Sequence, residues 1–476
     1  MLAPGPLTVS QALDEAPLAG FHRRTVITAG MGFFTDAYDL FIIGIAVVLL
    51  KPLWHLGTSE VSLLTSTSLG AAFLGALVGG RMADLWGRKR VYTGLAVTMV
   101  LAAVVSALSP SFGWLVASRF VLGLAIGGDY PVSATLASEY SSREQRGRLV
   151  GLVFSMQALG LVVGPLVGIA LLGGGVSHDL AWRIMLGLGA LPALSVLQLR
   201  RRMPESPRFD ARVRGRVDAA VRHLADYSGG RVTADGGDAI GGRLGLGAFL
   251  SNRRYLMTLV GTAGTWFLLD YAFYGNTIST PQILKLVSPG ASTLTSLVWS
   301  LAIFVVAAAP GYWLAVRTMD RIGHRRLQSI GFAGMAVAFL LIGAVPGLTG
   351  MVAPFLVVYG VSYFFTEFGP NTTTFVLPAE CFPTSVRATG HGISAGVGKL
   401  GAVIGVFVFP ILSTHLHLRG TLLLTGGVAL VGLALTQVLP EPARRSLEEV
   451  SGEDKSPSLA HAIEIPVAVQ KDSVPA

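Results

Sequence analysis

Twelve apolar stretches, each near the roughly 20 residues that a helix needs to cross a bilayer, follow one another along almost the whole chain. They lie at residues 25–50, 60–80, 91–109, 113–137, 149–173 and 181–199, then at 255–284, 292–316, 327–346, 350–377, 390–414 and 419–439. Only 13% of the 476 residues are charged, against about 25% in a soluble domain. That leaves too little polar surface to coat a soluble globule of this length. The mean hydropathy of +0.62 points the same way. The 59 glycines and 24 prolines are scattered through the apolar runs, where small residues allow close helix packing and proline breaks are tolerated. The expected fold class is an all-α membrane protein with twelve transmembrane helices.

Polar segments between the runs set the expected orientation. Arg81, Arg88, Lys89 and Arg90 follow the second run; Arg143, Arg146 and Arg148 follow the fourth; Arg317, Arg321, Arg325 and Arg326 follow the eighth. The alternate loops hold little beyond Lys51, Lys285 and Arg419. By the positive-inside rule both termini are expected in the cytoplasm. The net charge of +9 is therefore read as a topology signal, with no nucleic-acid partner expected. Residues 1–24 form an expected cytoplasmic N-terminal segment, without the basic and apolar regions of a cleavable leader. An N-terminal six-helix half spans 25–199, a cytoplasmic central loop 200–253, a C-terminal half 254–439 and a cytoplasmic tail 440–476. Gly229-Gly230, Gly236-Gly237 and Gly241-Gly242 make the central loop read as a flexible linker, with short surface helices near 209–227.

The two halves repeat one another. Gly80-Arg81-Met82-Ala83-Asp84-Leu85-Trp86-Gly87-Arg88-Lys89-Arg90 follows the second run, and Arg317-Thr318-Met319-Asp320-Arg321-Ile322-Gly323-His324-Arg325-Arg326 follows the eighth. Glu139 precedes Arg146 by seven residues, as Glu380 precedes Arg387. Asp320 lies 236 residues beyond Asp84, and Glu380 lies 241 beyond Glu139. Duplicated six-helix halves are a transporter architecture with the site at the midplane between them. Asp84, Arg88, Glu139, Arg146, Asp320, Glu380 and Arg387 are accordingly candidate gating residues, with Glu139/Arg146 and Glu380/Arg387 read as clamps on the cytoplasmic ends.

On these motifs the chain resembles the major facilitator superfamily over essentially its whole length. Pro204-Glu205-Ser206-Pro207-Arg208 and Pro440-Glu441-Pro442, with Ser446-Leu447-Glu448-Glu449, look like its sugar-porter and phosphate-porter branches. Thr35-Asp36-Ala37-Tyr38-Asp39-Leu40-Phe41, Gly127-Gly128-Asp129-Tyr130-Pro131 and Phe364-Phe365-Thr366-Glu367-Phe368-Gly369-Pro370-Asn371 are similar to stretches of the phosphate:proton symporters. So are Gly390-His391-Gly392-Ile393-Ser394 and Gly398-Lys399-Leu400-Gly401. Glu367 stands where that family is expected to carry a neutral residue, His324 where the second loop motif usually has arginine, and Val316 where Gly80 has its counterpart.

An ionisable side chain at the centre of a spanning helix costs at least about 2.5–3.5 kcal/mol, so each needs a reason. Asp39 and Arg119 fall at compatible depths in the first and fourth spans and are a candidate proton switch, a role the resemblance also implies. Asp36, one turn earlier, and Asp129 are further proton-coupling candidates. Asp129-Tyr130 sits among glycines beside Pro131, which frees a backbone carbonyl, and reads as a substrate site. Trp266, Asp270 and Tyr274 recur every four residues on one helix face. The resemblance makes that face, with Gln157 and Asn371, a phosphate pocket. Monobasic phosphate carries O–H donors that an ionised carboxylate can accept. Lys399 offers a positive charge, either to the anion or to Glu367.

The function expected is import of inorganic phosphate by a proton-coupled secondary transporter working by alternating access. Protons, phosphate and the bilayer are the partners, the monomer is the functional unit and a prokaryotic inner membrane is the location. A symporter of another small organic anion, or a transporter-like nutrient sensor, are the alternatives. Nothing in the chain reads as an enzyme: a P-loop, a nucleophile–His arrangement and a metal-ligand cluster are all missing from the sequence. No cofactor or metal is expected. The single cysteine, Cys381, excludes an internal disulfide.

Overall fold

The computed structural model describes residues 7–234, 238 and 243–453. Gly236-Gly237, Gly241-Gly242 and the tail beyond residue 453 lie outside the described residues. Twelve helices are long and apolar enough to cross a membrane. Spans one to six are Gly20–Leu53, Ser59–Trp86, Arg88–Ala107, Phe112–Glu139, Arg146–Gly173 and His178–Arg202. Spans seven to twelve are Arg253–Ile278, Thr295–Ile322, His324–Ala344, Val352–Cys381, Arg387–His415 and His417–Thr436.

The apolar runs locate these helices, and the polar motifs turn out to be helical as well. Gly80 to Arg90 was expected to lie between helices, yet span two continues to Trp86 and span three begins at Arg88. Gly87 alone makes the turn, at a φ of 104°. Gly323 does the same between spans eight and nine at 96°. A side chain at such a φ is sterically strained, which is why each repeat carries glycine there.

Span two lies against span four at backbone distance. A Cβ built on Gly75 meets the Leu124 carbonyl at 2.2 Å, and one on Gly127 meets the Ala72 carbonyl at 2.1 Å. Span eleven rides against span seven in the same way through Gly401 and Gly405. Between the halves, span two meets span eleven where Gly80 and Gly392 face each other, and span five meets span eight where Gly151 touches Met319.

Several spans bend where the sequence supplies a reason. Span ten breaks at Gly369, just ahead of Pro370. Span eight loosens into a π-helical turn at Phe304–Ala308, ahead of Pro310. The N-terminal helix Val9–Asp14, the central helices Pro207–Arg212 and Val217–Ser228, and the C-terminal helix Leu447–Ser451 gather at one end of the bundle. That end also carries the arginine-rich motifs.

Candidate transport site

Polar side chains from seven spans meet in the middle of the bundle, all of them buried. On span one, Asp36 accepts from the Tyr130 hydroxyl of span four and from Gln157 Nε2 of span five at 3.3 Å. Gln157 opens a fresh helical segment after a break at Met156, which turns its amide inward. Its Oε1 accepts from the Tyr312 hydroxyl of span eight at 3.0 Å. The Asn371 amide of span ten donates to Tyr312 at 2.7 Å and to Glu367 Oε2 at 2.5 Å. An unbroken hydrogen-bonded row thus crosses from the first half to the second.

Lys399 of span eleven stands beside this row. Its Nζ donates to Asp270 Oδ2 at 3.3 Å and to the Tyr274 hydroxyl at 2.9 Å. It also lies over the rings of Tyr130 and Tyr274, 4.6 and 4.4 Å from their centroids, where a cation is attracted by the aromatic face. Trp266 contributes a wall, packing against Tyr130, Phe375 and His391. Lys399 is paired with Asp270 here and not with Glu367, which is bonded to Asn371.

Asp39 is paired with Arg119, as the sequence suggests. Both are buried, and Asp39 Oδ2 and Arg119 Nε have no other protein partner among the described residues.

Asp129 does not join Tyr130 in the central row. Neighbours on a helix point about 100° apart, and the Asp129 carboxylate turns to the guanidinium of Arg200, which grips it at 2.6 and 3.1 Å. Arg200 lies over the Tyr92 ring at 3.9 Å. A Cβ on Gly32 of span one would strike both members of the pair. The pair is a brace between spans one, three, four and six, so its place in a substrate pocket is corrected. Arg200 and Tyr312 were missed by sequence reasoning. Arg200 was merged with the arginines of the central loop, and Tyr312 offered no charge to single it out.

At the arginine-rich end the expected clamps exchange partners. Glu139 Oε1 bonds Arg88 at 3.3 Å and Arg387 of the other half at 3.1 Å. Arg146 bonds Asp14 and the carbonyls of Ser138 and Arg445. Glu380 faces His324, 3.7 Å away, which also lies 3.6 Å from Asp320. The reason is geometric: a turn separates each acid from the arginine seven residues on, and other groups come closer, Arg387 of the opposing half to Glu139 and His324 of the same half to Glu380. The two-fold repeat is nonetheless kept. Asp84 accepts from the Thr389 N–H at 2.6 Å, and Asp320 accepts from the Arg148 N–H at 2.9 Å. In each case one half's loop acid receives the third residue of the opposite half's helix.

Twelve spanning helices around a buried polar row, with a repeated gate at one end, define a membrane transporter of the major facilitator fold. The chain belongs to the sugar (and other) transporter family, whose model matches residues 25–453. It is 35% identical to a probable inorganic phosphate transporter 1-6 of Arabidopsis thaliana, over 96% of this chain and 98% of that one. It is 37% identical to inorganic phosphate transporter 1-6 of Oryza sativa subsp. japonica, over 94% and 95%. Among solved structures, the proton:xylose symporter XylE bound to 6-bromo-6-deoxy-D-glucose superimposes with a TM-score of 0.80 at 20% identity, covering 91% of this chain and 98% of that one. An inward-open form of XylE superimposes less well, at 0.61 and 19% identity, covering 90% and 98%.

Proposed function

We propose that this protein is a proton-coupled secondary transporter that imports inorganic phosphate by alternating access between its two halves. The observation that carries the reading is the central cluster: a lysine, acids, phenols and amides, drawn from seven spans and buried together. The names of the plant relatives supply the substrate. The positive-inside rule supports a cytoplasmic position for the arginine-rich end, with the N-terminal, central and C-terminal segments. A monomer in a cell membrane, surrounded by lipid, is the working unit.

Lys399 and Asp270 balance one another in the closed row. An arriving monobasic phosphate offers oxygens to Lys399 and hydroxyl donors to the carboxylate of Asp270. Trp266, Tyr130 and Tyr274 exclude water around it, while Gln157 and Asn371 supply amide donors. The anion adds a negative charge to a low-dielectric site that already holds acids, and proton uptake relieves that cost. Proton and anion therefore favour one another, which is coupling. Asp39 is the switch: its pair with Arg119 parts and re-forms as the halves move.

Uptake of labelled phosphate into proteoliposomes, with and without an imposed pH gradient, tests this. Gradient-driven accumulation that arsenate competes for supports the reading. Accumulation indifferent to the gradient removes the coupling, and failure of arsenate to compete removes the substrate.

A further inference from the structure

Five acids lie buried inside the spans away from the gate: Asp36, Asp39, Asp129, Asp270 and Glu367. Three of them have a cation as direct partner, Arg119 for Asp39, Arg200 for Asp129 and Lys399 for Asp270. Among the described residues Asp36 and Glu367 form no ion pair, and these two sit at opposite ends of the row that runs through Gln157, Tyr312 and Asn371.

Glu367 is fully buried. Its Oε2 accepts from Asn371, the Tyr312 hydroxyl lies against the carboxyl, and its Oε1 has no hydrogen-bond partner among the described residues. The groups facing it are Tyr312 of span eight, Asp270 of span seven and, on its own helix, Asn371 and Tyr363. Asp270 is an acid and so repels a negative charge here. Gly311 packs against the Glu367 Cβ and leaves no room for a bulkier neighbour. An ionised carboxylate presents about four acceptor sites, and one amide and one hydroxyl do not satisfy them. An isolated charge in such a place is strongly unfavourable, and the group neutralises instead.

We propose that Glu367 is a second proton-carrying carboxyl of the transport cycle. It holds a proton while the site is closed around phosphate. It releases that proton as H⁺ to water when the halves part on the more alkaline side; the emptied transporter returns with this carboxylate ionised and takes a proton from the more acidic side before it closes on the next phosphate. No bond other than O–H forms or breaks. Asp36 and Glu367, one in each half, then neutralise the two ends of the row, so each closure around phosphate carries one proton more than span one alone supplies. This rests on the proposed phosphate:proton function and adds to it.

The test compares wild type and Glu367→Gln in proteoliposomes, measuring charge moved per labelled phosphate across a range of pH. Glutamine keeps the size and the neutral form but binds no proton. The expected result is transport with about one elementary charge fewer per phosphate and a shallower pH dependence, both restored in Glu367→Asp. An unchanged ratio in Glu367→Gln overturns the role of Glu367. A wild type that moves no net charge with phosphate also overturns it, since one proton with monobasic phosphate is electroneutral, whereas wild-type uptake indifferent to an imposed pH gradient overturns the underlying coupling instead. Should the glutamine variant not transport, infrared difference spectra between acid and alkaline pH decide. A protonated-carboxyl band present in wild type and missing from Glu367→Gln supports the proposal, and identical spectra overturn it.

Discussion

A single carboxylate oxygen, Glu139 Oε1, accepts from Arg88 of its own half at 3.3 Å and from Arg387 of the other half at 3.1 Å, with all three side chains buried. The second oxygen of Glu139 has no partner among the described residues. One atom therefore holds both arginines, and the closed end depends on it. Removing one member of a buried pair costs about 3–5 kcal/mol, and every 1.4 kcal/mol is about tenfold in an equilibrium. Glu139→Gln should therefore raise the population open at this end by roughly a hundredfold or more. The only cysteine, Cys381, is buried at the end of span ten beside this gate, so no reporter need be added. Faster maleimide labelling of Cys381 in Glu139→Gln is the expected outcome, and labelling at the wild-type rate removes Glu139 from the gate.

Asp39 and Arg119 make a second prediction. Their bond is the only one either side chain makes through its charged group among the described residues, leaving Asp39 Oδ2, Arg119 Nε and one further Arg119 nitrogen without partners. A pair so lightly tied is suited to part and re-form. Asp39→Asn should reduce gradient-driven phosphate accumulation by at least about tenfold, equivalent to about 1.4 kcal/mol. Exchange of labelled for unlabelled phosphate needs no net proton movement and should continue. Accumulation at the wild-type level would show the pair to be a fixed structural bridge.

The brace between Asp129 and Arg200 behaves differently. It has two short bonds and an aromatic face beneath the guanidinium. Arg200→Ala should lower stability by about 3–5 kcal/mol, read as a fall in the thermal unfolding midpoint of the detergent-solubilised protein. Removing both charges, as Asp129→Asn with Arg200→Met, should recover much of the loss, because no buried charge is then left alone. If the double variant is no more stable than Arg200→Ala, the pair is not the brace described.

Sequence reading and structure part company at this brace for a physical reason. The spans were legible because length and apolarity alone decide whether a segment crosses a bilayer. Asp36, Asp270 and Lys399 were legible because an ionisable group in an apolar helix is costly enough to stand out, Tyr130 and Tyr274 because they stand beside or one turn from such acids, and Gln157 and Asn371 only through the family resemblance. Partner choice was not legible, since it depends on helix rotation and on which helix lies opposite. Asp129 and Tyr130 are adjacent in sequence and face different partners, Arg200 for the one and Asp36 for the other. The gate acids keep their spacing to Arg146 and Arg387, yet Glu139 meets the arginine of the other half. That Gly87 and Gly323 each make a whole turn between two spans follows only from their φ angles of 104° and 96°.

The last prediction concerns the segments outside the bundle. Arg208 of the central segment bonds Asp14 near the N-terminus at 2.6 Å and Glu448 near the C-terminus at 2.5 Å, and Asp14 also holds Arg146 of span five. Burial works against the Glu448 carboxylate, but the guanidinium groups of Arg208, Arg212 and Arg387 outweigh it and hold its pKa well below the usual range. For an acid with a depressed folded-state pKa, the stabilisation is complete above the unfolded value, about 4.3 for glutamate, and is lost only as pH falls toward the folded value. Mild acidification to about pH 5, still above that reference value, should therefore leave the strap in place. Glu448→Gln should release it at neutral pH. Amide hydrogen exchange of the helix Leu447–Ser451 measures this directly: protection should be unchanged in wild type between neutral and mildly acid buffer, and lost in Glu448→Gln in both. Protection that disappears from wild type on mild acidification would mean that the arginines do not hold Glu448 ionised.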